Sequence, residues 1–576
     1  MTKYFKLEEM RDHLLTYLKE QKQFLQDDID ASSQLTDDEK IDNGLLIVDA
    51  TVLRHEDNEY LLGFKVNNTK VRPGDEVTLE SSDGQKLIVS VIENALESMT
   101  IQYDGVLSLS LSYRISVNNI VMLDPLINLL EGIASGLPGA YFLKLLANIE
   151  EPDEEGFTTL DVPTSDSCYA RLNHEQQEIC KAVLQCPSVY CVQGPPGTGK
   201  TDVLGVLART FAKRRKNVVV IAKTHHAVNN ALNKIRKMCA NAPISKIGSK
   251  LKSDNVDKSI CIYEKYSKYQ SAYKKRPAYR GRIADIVGMT LQSAIINLGL
   301  LHTSFRPSII FVDEASQLTL AEASVLGVFG ASSIVFFGDD KQMPPIFHEK
   351  QQSDELSVSI FSHIIHLYPS FEGKLRVTYR MNEDITQCVS SNFYEPFGEK
   401  IIASDFSKNR SLQIQGPHLD QRIKKLLSSD SSIETIDVST THTWEDSNPE
   451  EADFIANLVE HALSLGIDAK DIAVVTPFRR QVLAIRTSLR SKLNSDIPLV
   501  DTVERLQGQD VDLVILSFSV TDDEFYRQTM NFLLNRNRLN VMISRAKKKV
   551  VIVAHPTNPV ECCADANPKT MLPNDT

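Results

Sequence analysis

Phe5, Leu7, Met10, Leu14, Leu15 and Leu18 recur three and four positions apart among Lys and Glu, a spacing that predicts a helix from the N-terminus to about residue 28. From Leu45 to about Ile120 the pattern shortens to β-branched runs (LLIVDATVL, YLLGFKV, DEVTLES, QKLIVSVI, MTIQYDG, LSLSLSYRISV) broken at Asn67, Pro73-Gly74 and Asp83-Gly84. Five or six short strands at that spacing predict a small β-barrel. Residues from about Met122 to Ile149 return to an apolar helical pattern, and the acidic run Glu150 to Glu155 followed by PTSDS reads as a linker. From Leu172 onward, apolar strand runs alternate with helical stretches, as in parallel α/β domains. No repeat of solenoid period interrupts them. The expected partition is a helical segment over 1–44, a barrel over 45–120 and a helical stalk with its acidic linker over 121–165. An α/β domain then runs over 166–350 with an insert at about 243–282, a second over 351–556, and a tail over 557–576.

Composition narrows the class. A chain of 576 residues is too long for one domain of about 100–200 residues. Its 42% hydrophobic and 24% charged content is that of a folded globular protein. No apolar stretch is long enough to span a membrane, and MTKYFKLEEM carries acids where a signal peptide has its apolar core, so a cytoplasmic protein without a membrane partner is expected. The nine cysteines form no CxxC pair, which leaves zinc and iron-sulfur sites without support and predicts free thiols.

The net charge of −12 has the wrong sign for a protein that holds nucleic acid by overall charge, so any such site must be a local patch. One candidate stands out. Residues 246–282 hold eleven Lys or Arg against Asp254, Asp257 and Glu264, a balance of +8, and Tyr263, Tyr266, Tyr269 and Tyr273 recur at helical spacing. Two readings stay open: the rings stack on bases, or they pack a small core while the lysines are solvated.

The sharpest chemical signal is Gly194-Pro195-Pro196-Gly197-Thr198-Gly199-Lys200-Thr201, which follows the strand-like SVYCVQ and opens the helical DVLGVLARTFAKR. Glycines allow backbone N–H groups to curl round phosphates, Lys200 offers a cation to the β/γ charge, and Thr201 places a hydroxyl on Mg²⁺ at a helix N-terminus. Downstream, the apolar run Ser308 to Val312 delivers Asp313 and Glu314 where α/β sheets place their ligands. Asp313 suits a Mg²⁺ ion through its water shell; Glu314 suits the attacking water, as orienter and base.

These residues resemble the superfamily 1 helicases of the Upf1-like (DNA2/NAM7) branch. The resemblance begins with the phosphate loop and DEASQ (Asp313 to Gln317), and Leu172-Asn173-His174-Glu175-Gln176 looks like the adenine-reading Q motif, with the Gln176 amide on the base edge. Lys223 to Asn229 (KTHHAVN) is similar to the first strand-gripping motif, with histidine where the family usually has Asn and with Asn229 in place of Asp. Gly338 to Pro345 (GDDKQMPP) is close to the coupling motif in which Gln342 senses the γ-phosphate, and Thr378 to Met381 resembles the YRM motif that supplies Arg380. Val475 to Phe478 with Gln481, Val503 to Asp510 (VERLQGQD), and Arg538 to Lys547 (RLNVMISRAK) complete the order, covering about Leu172 to Ala554. The resemblance assigns Gly508 and Asp510, the latter replacing Glu, to the nucleotide site and makes Arg545 the arginine finger.

It further implies two tandem RecA-like P-loop motor domains, preceded by an accessory barrel on helical stalks, with ATP and Mg²⁺ in the cleft between them and a single strand of DNA or RNA as partner. Movement in the 5′-to-3′ direction is implied in the same way. Strand contacts fall on Thr224, His225, Thr290, Pro477 and Thr502, and within the insert on Lys265, Lys274 and Tyr266. The barrel either guides the strand or docks a protein partner. A helicase that separates strands and a nucleic-acid-stimulated ATPase that remodels a complex share the same motor residues.

Overall fold

The structure is a computed structural model. It describes residues 3–554 apart from 57–58, 66, 70, 72–75, 95–97, 104, 118–122, 154–159, 186, 249, 251–252, 254, 264–265, 276–283, 302–305, 415–420, 429, 439, 494–496 and 504–509.

Six antiparallel strands close into a barrel: Leu46–Glu56 (β1), Glu59–Gly63 (β2), Glu76–Ser81 (β3), Lys86–Asn94 (β4), Ser98–Gln102 (β5) and Ser112–Val117 (β6), in the order β1-β2-β5-β4-β3-β6. Alternation points Val77, Leu79, Val89 and Val91 inward to a core that the barrel keeps to itself.

The larger α/β sheet is parallel throughout. Its strands are Val189–Gln193 (β7), Val218–Ala222 (β8), Ile244–Ile247 (β9), Cys261–Tyr263 (β10), Ile286–Thr290 (β11), Ile309–Asp313 (β12), Ser333–Gly338 (β13) and Glu372–Lys374 (β14), ordered β10-β9-β11-β8-β12-β13-β7-β14. Nearly every position of its central strands is buried, because helices cover both faces and the sequence there reads as continuous apolar runs. On β7, Val189 and Cys191 enter one core while Tyr190 and Val192 enter the other. A small parallel pair follows, Val377–Thr378 (β15) with Ile402–Ala403 (β16). The second parallel sheet comprises Ile433–Ile436 (β17), Ile472–Val475 (β18), Leu499–Asp501 (β19), Val511–Ser517 (β20) and Ala546–Val553 (β21), ordered β17-β21-β20-β18-β19. Among the described residues no helix is long and apolar enough to cross a membrane.

Three expectations change. The boundary at 350/351 moves toward the C-terminus, because Leu356, Ile360, Phe361 and Ile364 fill a core of the first sheet and β14 pairs with β7. The flanking helices are likewise part of that core: Met10, Leu14 and Leu18 from the helix Leu7–Ser33 and Leu126 and Leu130 from Leu123–Glu131 pack with it. The basic insert, finally, is largely sheet edge. It contributes β9 and β10, Lys246 is wholly buried with Nζ donating to Ser253 Oγ at 2.7 Å, and Tyr269 is wholly buried, edge-on to Tyr263 and directed at Asp285. For those two rings packing prevails over stacking. Lys265 and the side chains of Tyr266, Tyr273 and Lys274 lie outside the described residues.

The seam between the stalk and the first lobe is tight. A Cβ on Gly327 would lie 2.5 Å from Phe142 Cβ and 3.0 Å from Gly139 Cα. Gly327→Val should therefore lower the stability of the first lobe by about 1–3 kcal/mol in denaturant unfolding, as overpacked sites do. An unchanged midpoint would show that the stalk does not pack here as described.

Candidate nucleotide site

The first lobe builds its half of the site at the C-terminal edge of its sheet. The loop after β7 turns through Gly197 (φ +75°) and Gly199 (φ +86°), conformations glycine reaches at no steric cost, into the helix Lys200–Lys213. Each glycine is also held by contact. A Cβ at Gly199 would meet Gln176 Nε2 at 2.5 Å, and one at Gly197 would meet Arg380 Cβ at 2.5 Å and Thr378 Oγ1 at 2.7 Å. Lys200 Nζ donates to the Gly194 carbonyl of its own loop. Asp313 ends β12, and Glu314 follows in the left-handed region at φ 52°, a strained backbone of the kind that clusters at functional sites.

The second lobe closes over this loop. Thr378 Oγ1 donates to the Pro196 carbonyl at 2.8 Å and the Tyr379 N–H donates to the Gly197 carbonyl at 2.8 Å, which brings Arg380 directly against the phosphate loop. Arg380 Nη1 donates to the Ser544 carbonyl at 3.1 Å. Arg545 Nε donates to the Val541 carbonyl at 3.1 Å, and its Nη2 lies 3.4 Å from Gln342 Oε1. The result is a cleft of about 1090 Å³, lined by Pro195 to Asp202, Thr224, His226, Asp313, Glu314 and Gln342 from one side and by Tyr379, Arg380, Asp510, Arg545 and Lys547 from the other.

Charge in this cleft is poorly solvated. Burial, and then the neighbouring Arg380, push Arg545 down to about 9, still cationic at neutral pH. Arg380 is lowered by burial as well, against the pull of Asp510, whose Oδ2 lies 3.9 Å from Arg380 Nε and 3.4 Å from Lys547 Nζ. Across the cleft, burial and the Glu314 charge push Asp313 up to about 7, with Lys200 opposing. Two guanidiniums that repel each other, beside a phosphate-type loop, favour a polyanion. The divalent-cation donors are few: Thr201 and Asp313 line the cleft, and no group of three or more His, Cys, Asp or Glu able to hold a metal occurs among the described residues. This set fits a hard cation whose other positions are filled by water and phosphate oxygens.

Several predicted site residues take places the sequence did not indicate. Gln176 is buried, with Oε1 accepting from the Asn173 N–H and Nε2 donating to the Thr198 carbonyl, so the amide expected on a base edge instead braces the phosphate loop. Thr224 caps the helix His225–Met238 and lines the nucleotide cleft, while His225 packs against Gly248. Thr290 is buried and accepts from the Ser293 N–H at 3.2 Å, and Thr502 is buried beside Asp501. Neither threonine presents an open contact for a strand. Pro477 is half-buried just past β18, near the same sheet edge as Thr502, and Gly508 lies outside the described residues.

Residues that the sequence reading passed over complete the site. Asp339, at the end of β13, accepts at Oδ1 from Gln193 Nε2 at 2.9 Å, and at Oδ2 from Gln342 Nε2 at 2.6 Å and Tyr394 Oη at 2.6 Å. Asn537 and Asn540 of the helix Arg536–Ile543 donate to the Gln342 and Lys341 carbonyls. Both asparagines sit within or just before the RLNV segment, which was the available signal.

Comparison with known proteins fits this arrangement. Two family models, each described as an AAA domain, match residues 171–354 and 356–557. The replication helicase/nuclease dna2 of Schizosaccharomyces pombe is 28% identical over 404 residues, 66% of this chain and 27% of its own. The DNA polymerase alpha-associated DNA helicase A of the same yeast is 24% identical over 66% of this chain and 63% of its own, and the regulator of nonsense transcripts 1 homolog of Drosophila melanogaster 27% over 67% and 34%. Over about two thirds of its length the chain is similar to these DNA2-type and nonsense-transcript-regulator proteins, and both of its α/β lobes match AAA-domain models. It spans about a quarter of the length of dna2, and the two AAA-domain models together cover the region that carries the two parallel sheets.

The crossing at Gly197 is directly testable. Gly197→Val cannot keep φ +75° without strain and places its side chain on Arg380, so the Tyr379 amide should exchange with solvent roughly tenfold faster or more, the consequence of about 1–3 kcal/mol of overpacking. Unchanged exchange would mean that the two lobes do not depend on this contact.

Proposed function

We propose that this chain is an ATP-dependent motor on single-stranded nucleic acid, two tandem RecA-like domains that hydrolyse ATP in their shared cleft and convert that cycle into strand separation, moving 5′-to-3′. The observation that carries the proposal is the convergence of Lys200, Asp313 and Glu314 from one lobe with Arg380 and Arg545 from the other on one cleft beside a phosphate loop. Two of these relatives are named as an ATP-dependent helicase/nuclease and a DNA helicase, which supports the same reading.

The triphosphate draws Lys200 away from the Gly194 carbonyl, and the loop's N–H groups take the β-phosphate. Thr201 and Asp313 would hold Mg²⁺, which when bound neutralises charge on the β- and γ-phosphoryl oxygens. Glu314, set apart from the strand by its left-handed backbone, orients the attacking water and accepts its proton. Arg380 and Arg545 meet charge as it builds on the γ-phosphoryl oxygens, and the like charge of the two guanidiniums favours closing on the nucleotide's phosphates. After hydrolysis and phosphate loss that advantage is gone, so the lobes are free to separate and each holds the strand in turn. The barrel and the remaining surface of the insert are proposed as further contacts for the strand.

Lys200→Ala should abolish ATP turnover, whereas Glu314→Gln should bind ATP and accumulate in the strand-bound state. Near-normal turnover in Glu314→Gln would remove that residue from catalysis. Arg380→Ala and Arg545→Ala should each lower kcat by roughly 10³-fold or more with a much smaller change in nucleotide affinity. Strand displacement on duplexes with 5′ or 3′ overhangs, in DNA and in RNA, tests the motor itself. Strand-stimulated ATP turnover without displacement of any of these would replace a helicase by a remodelling ATPase.

A further inference from the structure

Tyr394 is wholly buried in the core of the second lobe, on a π-helical turn over Ser390–Tyr394 that widens the preceding helix and turns both Phe393 and Tyr394 inward. Such turns are uncommon and recur at functional sites. A phenylalanine would fill the same apolar space. The hydroxyl, however, reaches across to the other lobe: it donates to Asp339 Oδ2 at 2.6 Å and accepts from Asn540 Nδ2 at 3.0 Å.

What lies beyond Asp339 gives that contact a purpose. Gln342 Nε2 donates to the same carboxylate oxygen at 2.6 Å, which fixes the orientation of the Gln342 amide and leaves Oε1 facing Arg545 Nη2 at 3.4 Å. Without the carboxylate the amide could turn over and present its NH₂ to a guanidinium. The amide's orientation is therefore set by a carboxylate that a second-lobe hydroxyl helps to hold in place, while Asn540 secures both that hydroxyl and the Lys341 carbonyl.

We propose that Tyr394 and Asp339 are positioning residues that set the Gln342 amide and, through it, Arg545, so that the reacting geometry at the γ-phosphate is complete only when the two lobes are in register. The proposal rests on the cleft being a site of ATP hydrolysis. Neither residue lines the cleft, so neither contributes to nucleotide binding directly.

The test is a kinetic cycle in the full chain at saturating single strand. Tyr394→Phe should lower kcat roughly 10-fold, the scale for loss of one hydrogen bond to a charged group, and leave the KM for ATP within about twofold. In a Gln342→Ala background the same substitution should cost nothing further, because the amide it acts through is gone. Asp339→Asn, close to isosteric, is the second variant and should follow the same pattern, with its own melting temperature as the check on folding. A purely structural role would instead lower the melting temperature and multiply with the Gln342→Ala loss. Additive losses, or an unchanged kcat in both variants, would overturn the proposal while leaving wild-type ATP turnover intact. A wild-type chain that turned over no ATP would overturn the functional reading, and this proposal with it.

Discussion

The architecture turns on one crossing, where the backbone of Thr378 to Arg380 lies on the phosphate loop at Gly197. That approach needs a residue without a Cβ, and it sets Arg380 against the loop without any long flexible connection. Arg545 then follows from Gln342 and from the turn at Ser544, whose carbonyl takes Arg380. The geometry sets the buried Arg545 near the partly exposed Arg380, whose charge disfavours a second cation there, and in a poorly solvated cleft that cost is relieved best by an anion.

A second layer of contacts keeps the lobes aligned around that crossing. Tyr379 Oη accepts from Asn173 Nδ2 at 2.9 Å, the Arg376 N–H donates to Glu175 at 2.9 Å, and Met343 from the first-lobe loop is buried in the second-lobe core. Together with Gln176 on the Thr198 carbonyl, these make the segment Asn173 to Gln176 a brace between the loop and the second lobe. The helices that flank the barrel add stiffness from behind, since they share a core with the first sheet and hydrogen-bond to it through Tyr368 and His363.

What the chain showed before its structure was known was local. The phosphate loop, the strand ending in Asp313 and Glu314, and the alternation of apolar strands with helices are written in contiguous residues, and the parallel α/β character was legible from them. The contacts that hold the lobes together were not: Asp339 and Asn540 lie in the GDDKQMPP and RLNV segments, but nothing in either segment shows that they meet at Tyr394, which is far from both in sequence. The boundary at 350 was misplaced for a related reason: β14 is three residues long and joins a sheet whose other strands lie far upstream. The basic insert misled through counting, since charge summed along a segment cannot show that Lys246 is buried or that Tyr269 fills a core.

The central claim is that Arg380 and Arg545 read the γ-phosphate across the cleft. The most direct measurement is the ratio of affinities for a non-hydrolysable ATP analogue and for ADP, by calorimetry with Mg²⁺, in the wild-type chain and in the double substitution Arg380→Ala, Arg545→Ala. The account predicts a preference for the triphosphate form of roughly tenfold or more in the wild type, the scale of charge-assisted contacts worth about 1.5–3 kcal/mol, and its collapse to near unity in the double variant. A preference that survived the loss of both arginines would place γ-phosphate recognition in the first lobe alone and contradict the account.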